Sequence, residues 1–233
     1  MTAMISTCSS CMLPGRCPAR TDATLTPGLA TPSPPISVTG RGCPTPLGRV
    51  RPLRSTTLPP GPGLAVWPDQ AWRDPWVFRN EGDWEILITA PANHGPADDR
   101  GVIAHAISGD LLTWEVQPPL SEPGQGFGQL EVPQVEIISE VPFLFFSCLG
   151  GELARSNGRQ SGGIWVAEGK SLLGTWDIRQ AQLLTDESLY AGRAVKDRAG
   201  DWMLMAIRNI SPAGEFIGEI SDPLPLTATP AGR

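Results

Sequence analysis

The sequence predicts an all-β chain built as a β-propeller, and three observations carry that expectation. From Trp67 onward, short apolar runs rich in Trp, Ile, Val and Phe alternate with clusters of Gly, Pro, Asn and Asp, the pattern of strands joined by tight turns. No stretch carries a capped apolar stripe at helical spacing. The pattern also repeats. Segments beginning at Asp74, Glu131 and Ala191 align with starts 57 and 60 residues apart, and a period near 60 with about four strands per unit is that of a propeller blade.

The elements follow in order. In the first unit, Trp76 to Phe78 and Trp84 to Thr89 form the opening hairpin, Val102 to Ile107 the third strand, and a D-L-L-T-W element ends at Trp114. The second unit repeats this with Val132 to Ile138, Phe143 to Ser147 and Ile164 to Ala167, closing on L-L-G-T-W at Trp176. The third opens at Ala191 and has its third strand in Glu215 to Asp222. Leu87, Leu144 and Leu204 each stand 13 residues past their segment's start and set the expected register. Residues 67 to 226 make 160 positions, about 2.7 repeats of 60, whereas closed propellers take roughly four to eight blades. Two blades are expected to be missing, and an unclosed ring leaves strand edges open to pairing.

Residues 1–62 read as a different material from residues 63–233, the expected partial propeller domain. The first part holds 12 of the 25 prolines, four of the five cysteines, six arginines, one acid (Asp22) and no aromatic residue. Its apolar residues follow neither a period of 2 nor one of 3.6, so it is expected to be disordered. The formal charge splits as +5 before residue 63 and −11 after it, recovering the net −6. That acidic balance argues against nucleic acid or an anionic membrane as partner, and no apolar run approaches the roughly 20 residues needed to cross a bilayer. Cys8 and Cys11 form C-x-x-C, but Cys17 and Cys43 lack the spacing of a zinc ribbon or finger, and neither His94 nor His105 has partners suggesting metal. No metal and no cofactor is expected. Met1 to Met12 lacks a basic n-region and an uninterrupted apolar h-region, so the default location is cytoplasmic.

In a propeller the first strand of each blade runs beside the central axis, and equivalent positions at one end of those strands converge on one pocket. Asp74, Glu131 and the Tyr190 to Arg193 stretch fall there. Two carboxylates from adjacent blades, with arginines nearby, suit the hydrolysis of a glycosidic bond: one acid protonates the leaving oxygen while the other attacks or stabilises oxocarbenium charge. The structural alternative is that each acid accepts backbone hydrogen bonds at a blade start. Apolar walls at Phe127 and Leu130 are expected to favour a protonated Glu131, and Arg73 an ionised Asp74. Arg73 and Arg193 present fixed donors for sugar hydroxyls. Trp72 and Trp76 are candidates for stacking on a sugar face, although most of the tryptophans sit mid-strand, where packing between blades is their use.

Trp72-Arg73-Asp74-Pro75 resembles the R-D-P motif, and Leu130-Glu131-Val132-Pro133 the E-C-P motif, of the β-fructosidases of glycoside hydrolase family 32, a clan of five-bladed propellers related to families 43 and 68. Leu189 to Arg193, preceded by Asp186, resembles the family's D-F-Y-A segment. The resemblance spans residues 65 to 226 in the family's order and implies a five-bladed glycosidase that is N-terminally incomplete. It implies that Asp74 stabilises the transition state and contacts fructosyl hydroxyls with Arg73, that Glu131 is general acid and then base, and that Tyr190 and Arg193 line the sugar subsite. The implied substrate is sucrose or a fructan. The departures are Val132 in place of the usual Cys and the lack of any N-D-P-N-G motif, which carries the family's nucleophile. Residues 1–62 stand where the nucleophile's blade belongs, and their composition is that of G+C-rich DNA translated in the wrong frame. Two further readings stay open: a non-catalytic carbohydrate-binding fragment, and a family 43-like arabinosidase or xylosidase.

Overall fold

The computed structural model describes residues 3–7, 71–155, 158 and 161–230. Among these, all regular structure beyond short 3-10 turns is β. The first unit is an antiparallel sheet of β2 (Arg73–Asn80), β3 (Asp83–Pro91), β4 (Gly101–Ser108) and β5 (Glu115–Gln117), in that order. The second repeats it with β6 (Glu131–Ile138), β7 (Val141–Cys148), β8 (Gly163–Glu168) and β9 (Gln182–Thr185). In the third, β10 (Leu189–Lys196) pairs with β11 (Trp202–Ile210), whose far edge takes both β12 (Phe216–Ile220) and β13 (Leu224–Pro230). A short β1 (Ala3–Thr7) pairs with β13. This strand lies inside the stretch whose composition predicts disorder; its five residues contain no proline and include the β-branched Ile5 and Thr7, so the backbone can join a ladder. The rest of that stretch, residues 1–2 and 8–62 with its four cysteines, lies outside the described residues.

Alternation assembles these sheets face to face. On β7, Leu144, Phe146 and Cys148 face the first blade, joining Leu87, Ile103, Leu130 and Trp165 in one buried cluster. Phe143 and Phe145 point the other way, against Ala194, Leu204 and Ala206 of the third blade. The middle blade is therefore apolar on both faces, which is why FLFFS is a continuous apolar run. Phe127 sits edge-on to both Phe146 and Trp165, with centroids 5.1 Å away in each case. Trp114 and Trp176, the closing residues of the repeated tryptophan elements, are both buried, Trp176 between the first two blades and Trp114 on the first blade's other face. Asp110 shapes the turn before Trp114, its Oδ1 accepting from the N–H groups of Leu112 and Thr113 at 2.8 and 2.7 Å.

The expected register is off by one. Each innermost strand carries a bulge at the same place: Asp74-Pro75 between Arg73 and Trp76, Val132-Pro133 between Glu131 and Gln134, Ala191-Gly192 between Tyr190 and Arg193. Arg73, Glu131 and Tyr190 are thus equivalent, and Asp74 corresponds to Val132 and Ala191. Val77, Val135 and Ala194 pair with Ile86, Leu144 and Leu204, so Ile86, not Leu87, is the counterpart of the other two leucines. One extra residue in a strand reverses the face of everything beyond it.

Candidate active site

The bulges build the site. Asp74, Val132 and Ala191 all have positive φ, 59°, 51° and 52°, a left-handed conformation that costs a non-glycine residue about 1–2 kcal/mol. The two residues after which the chain must resume its ladder are prolines, Pro75 and Pro133, which have no N–H to leave unpaired. In the third blade the position is Gly192, where a Cβ would lie 2.6 Å from Ile164 Cδ1. Strain repeated at one rung of three consecutive blades marks that rung as the place where side chains are re-aimed.

Arg73, Glu131 and Tyr190, one from each innermost strand, meet there. The Arg73 guanidinium donates through Nη2 to Glu131 Oε1, and the Tyr190 hydroxyl donates to Glu131 Oε2. Asp74 stands beside them, its Oδ2 3.6 Å from Arg73 Nε and within reach of the Thr89 hydroxyl (3.2 Å) and the Val132 N–H (3.3 Å). Thr89 also donates to the Leu130 carbonyl at 2.9 Å, which fixes the approach to Glu131 from the first blade. Ser147, at the equivalent rung of the second blade, accepts from the Ala191 N–H at 3.1 Å and does the same for Tyr190. Burial, first, and the adjacent Glu131 charge push the Tyr190 hydroxyl pKa up, so it stays protonated and a donor.

Arg73, Asp74, Glu131 and Tyr190, expected at one site, stand together. The surroundings of Glu131 differ from the expected apolar walls: Phe127 and Leu130 are buried in the cluster between blades, and the groups at the carboxylate are Arg73 and Tyr190. Arg193 lies one rung further along. Its Nη1 donates to the carbonyls of Val132 and Pro133 at 3.1 and 2.8 Å, and its guanidinium lies 5.1 Å from the centroid of Trp76. Arg193 therefore braces the neighbouring bulge, and burial lowers its pKa while Asp74 opposes that. Trp72 packs against the first blade's far cluster with Ile86, Ile88 and Trp114, because adjacent residues of an extended chain point opposite ways; Trp76, under Arg193, packs on the core between the first two blades.

Two residues went unnoticed in the sequence. Gln129, 5% exposed, accepts from Arg73 Nη2 through Oε1 and donates through Nε2 to Glu152 Oε1. Glu152 comes from a 3-10 turn (Gly150–Glu152) after β7, and burial first, then the Glu131 charge, raises its pKa. No motif flags a residue held only by a partner 23 positions away. Cys148 is fully buried beneath the site, as a core cysteine, with its thiol pKa pushed up by burial. His105 is a structural residue, its Nε2 2.6 Å from Glu85 Oε2. Asp99 Oδ1 accepts from the Gly126 N–H at 2.5 Å, and the adjacent Arg100 is buried.

Antiparallel β blades, all-β among the described residues, whose innermost strands bring Arg73, Glu131 and Tyr190 together with Asp74 beside them, have the fold of the β-propeller glycosidases. Solved structures share it. The inulosucrase from Halalkalicoccus jeotgali bound to kestose superposes with a TM-score of 0.52 at 22% identity, over 64% of this chain and 41% of that one. The catalytic domain of Microbacterium saccharophilum β-fructofuranosidase gives 0.52 at 14% identity, over 67% and 43%. A Bombyx mori GH32 β-fructofuranosidase mutant in complex with sucrose gives 0.51 at 18%, over 66% and 34%. The chain thus spans less than half the length of these structures. No protein-family model matches it, and no curated protein matches it by sequence. Among the described residues no helix is long and apolar enough to cross a membrane.

Proposed function

We propose that this chain carries the acid/base and charge-stabilising blades of a β-fructosidase-type glycoside hydrolase acting on sucrose or a fructan. The observation that carries the reading is the clasp of Glu131 between Arg73 and Tyr190, with Asp74 beside it, each on the innermost strand of its blade. Glu131 takes up a proton from solvent and delivers it to the glycosidic oxygen as the bond from that oxygen to the fructosyl C2 breaks, and water then adds to C2 and returns a proton to Glu131. Asp74 faces the positive charge that develops on the fructosyl ring, and Arg73 binds the sugar's hydroxyls from the same side. Cytoplasmic residence belongs to this proposal and not to the fold.

A retaining mechanism also needs a carboxylate nucleophile, and the chain has no N-D-P-N-G motif to supply it. Turnover is accordingly expected to be slow. The test is glucose and fructose release from sucrose by the full chain and by Glu131→Gln. Release above the spontaneous rate, falling at least about 100-fold in the variant, supports the reading; release that ignores the substitution overturns it. The missing nucleophile motif favours one second reading, a carbohydrate-binding propeller without catalysis. Saturable sucrose binding, weakened by Asp74→Ala and unaccompanied by any cleavage, is the result that selects it.

A further inference from the structure

Arg73 reaches Glu131 from another blade on a long, flexible side chain, so something must hold the guanidinium in place. Its Nη2 is shared between Glu131 Oε1 and Gln129 Oε1. Gln129 can accept from Arg73 only in one amide orientation; flipped, its NH2 group faces the guanidinium, donor against donor. The orientation is set at the other end of the amide, where Nε2 donates to Glu152 Oε1. We infer that Glu152 is a positioning residue of this site: by accepting from Gln129 it fixes the amide that keeps Arg73 on Glu131. This inference rests on the proposed function for its meaning, but not for its test.

The rest of the structure makes a purely structural role a poor account of Glu152. The backbone holds the turn without the carboxylate: the Glu152 carbonyl accepts from the Gly128 N–H at 2.8 Å, its N–H donates to Leu149 O at 3.0 Å, and Leu153 bridges to Phe127. Glu152 Oε2 is buried without a hydrogen-bond partner among the described residues, a burial that costs stability. Burial and the nearby Glu131 charge oppose its ionisation, with only partial relief from Arg73, Gln129 and the Leu149 backbone. A glutamine there would fill the same space without that cost, yet would leave the Gln129 amide free to choose. An acceptor-only group removes the choice.

The experiment reads Arg73 directly, in the full chain without sugar, so a failure of sucrose cleavage leaves it intact. Isotope-labelled arginine gives separate Nη signals when rotation about the guanidinium C–N bond is restrained, and the rate of that rotation is measured in the native chain, Glu152→Gln, Glu152→Met and Gln129→Leu. Arg79, on the exposed side of the first blade over Trp84, is the internal control. Glu152→Met and Gln129→Leu are expected to speed Arg73 rotation about 10-fold or more, and the double variant no further, as for two links of one chain. Glu152→Gln, whose amide can present either its oxygen or its NH2 to Gln129, is expected to speed it by less, about threefold. Equal effects of Gln and Met overturn the inference, because charge alone would then explain them. So does an unchanged Arg73 in Glu152→Met. Should Glu152→Met fail to fold, Glu152→Ala is read by the same criteria.

Discussion

Glu131 is held at both oxygens, and its two donors differ in what they contribute. Tyr190→Phe removes only a hydroxyl, leaving the ring's packing; sucrose cleavage is expected to fall about 10-fold, with the sharper loss in kcat if the bond orients the acid. Val132 has a β-branched side chain at φ 51°. Val132→Asn, a residue that tolerates the left-handed region, is expected to raise stability by about 1 kcal/mol in chemical denaturation. Glu152 makes a prediction in pH. Its folded-state pKa is raised above the ordinary 4.5, so folding disfavours its ionised form, and that penalty is absent below the unfolded value and grows as pH rises through the folded one. Glu152→Gln should therefore be more stable than the native chain at neutral pH, with the gap closing below about pH 4. The motif residues Arg73, Asp74, Glu131 and Tyr190 were legible because each sits in a short local pattern. Gln129 and Glu152 were not, because what defines them is a shared amide between a loop and a turn.

The strands were readable from alternation and turn residues, and most fall within a residue or two of their expected ranges. What alternation does not display is a bulge. Asp74-Pro75, Val132-Pro133 and Ala191-Gly192 each add one residue at the same place, and within that shared pattern Asp74 matches Val132, so an alignment on carboxylates sets Asp74 against Glu131 where the structure sets Arg73. The correction matters chemically, since equivalent positions converge and those at this rung are a guanidinium, a carboxylate and a phenol. Gln134, next past the bulge and 1% exposed, ties the second blade to the third: its Nε2 donates to Ala194 O at 2.7 Å and its Oε1 accepts from Ala194 N at 2.9 Å. Gln134→Leu leaves both backbone groups of Ala194 unsatisfied. It is expected to cost about 2–4 kcal/mol, read as a lowered midpoint in urea.

At the scale of the molecule, the three blades are joined by two cores, and the outer faces of the first and third have no described blade opposite. On the third, Met203, Met205 and Ile207 alternate with the buried Leu204 and Ala206 and stay partly exposed, while Phe216 and Ile220 on the edge strand β12 are 76% and 67% exposed. Such an edge invites association. Light scattering should show a mass that rises with concentration, less steeply in Phe216→Ser with Ile220→Thr. The same incompleteness bears on chemistry, since the acid/base and the charge-stabilising carboxylate stand on blades that are present while the nucleophile motif is absent. A small external anion such as azide can take the nucleophile's place, attacking the fructosyl C2 as Glu131 protonates the departing glucosyl oxygen. The direct measurement is glucose release from sucrose with and without azide, in the native chain and in Glu131→Gln. The account predicts a rate that climbs at least about 10-fold with azide in the native chain and stays at background in the variant; no acceleration by azide, or equal acceleration in both chains, would contradict it.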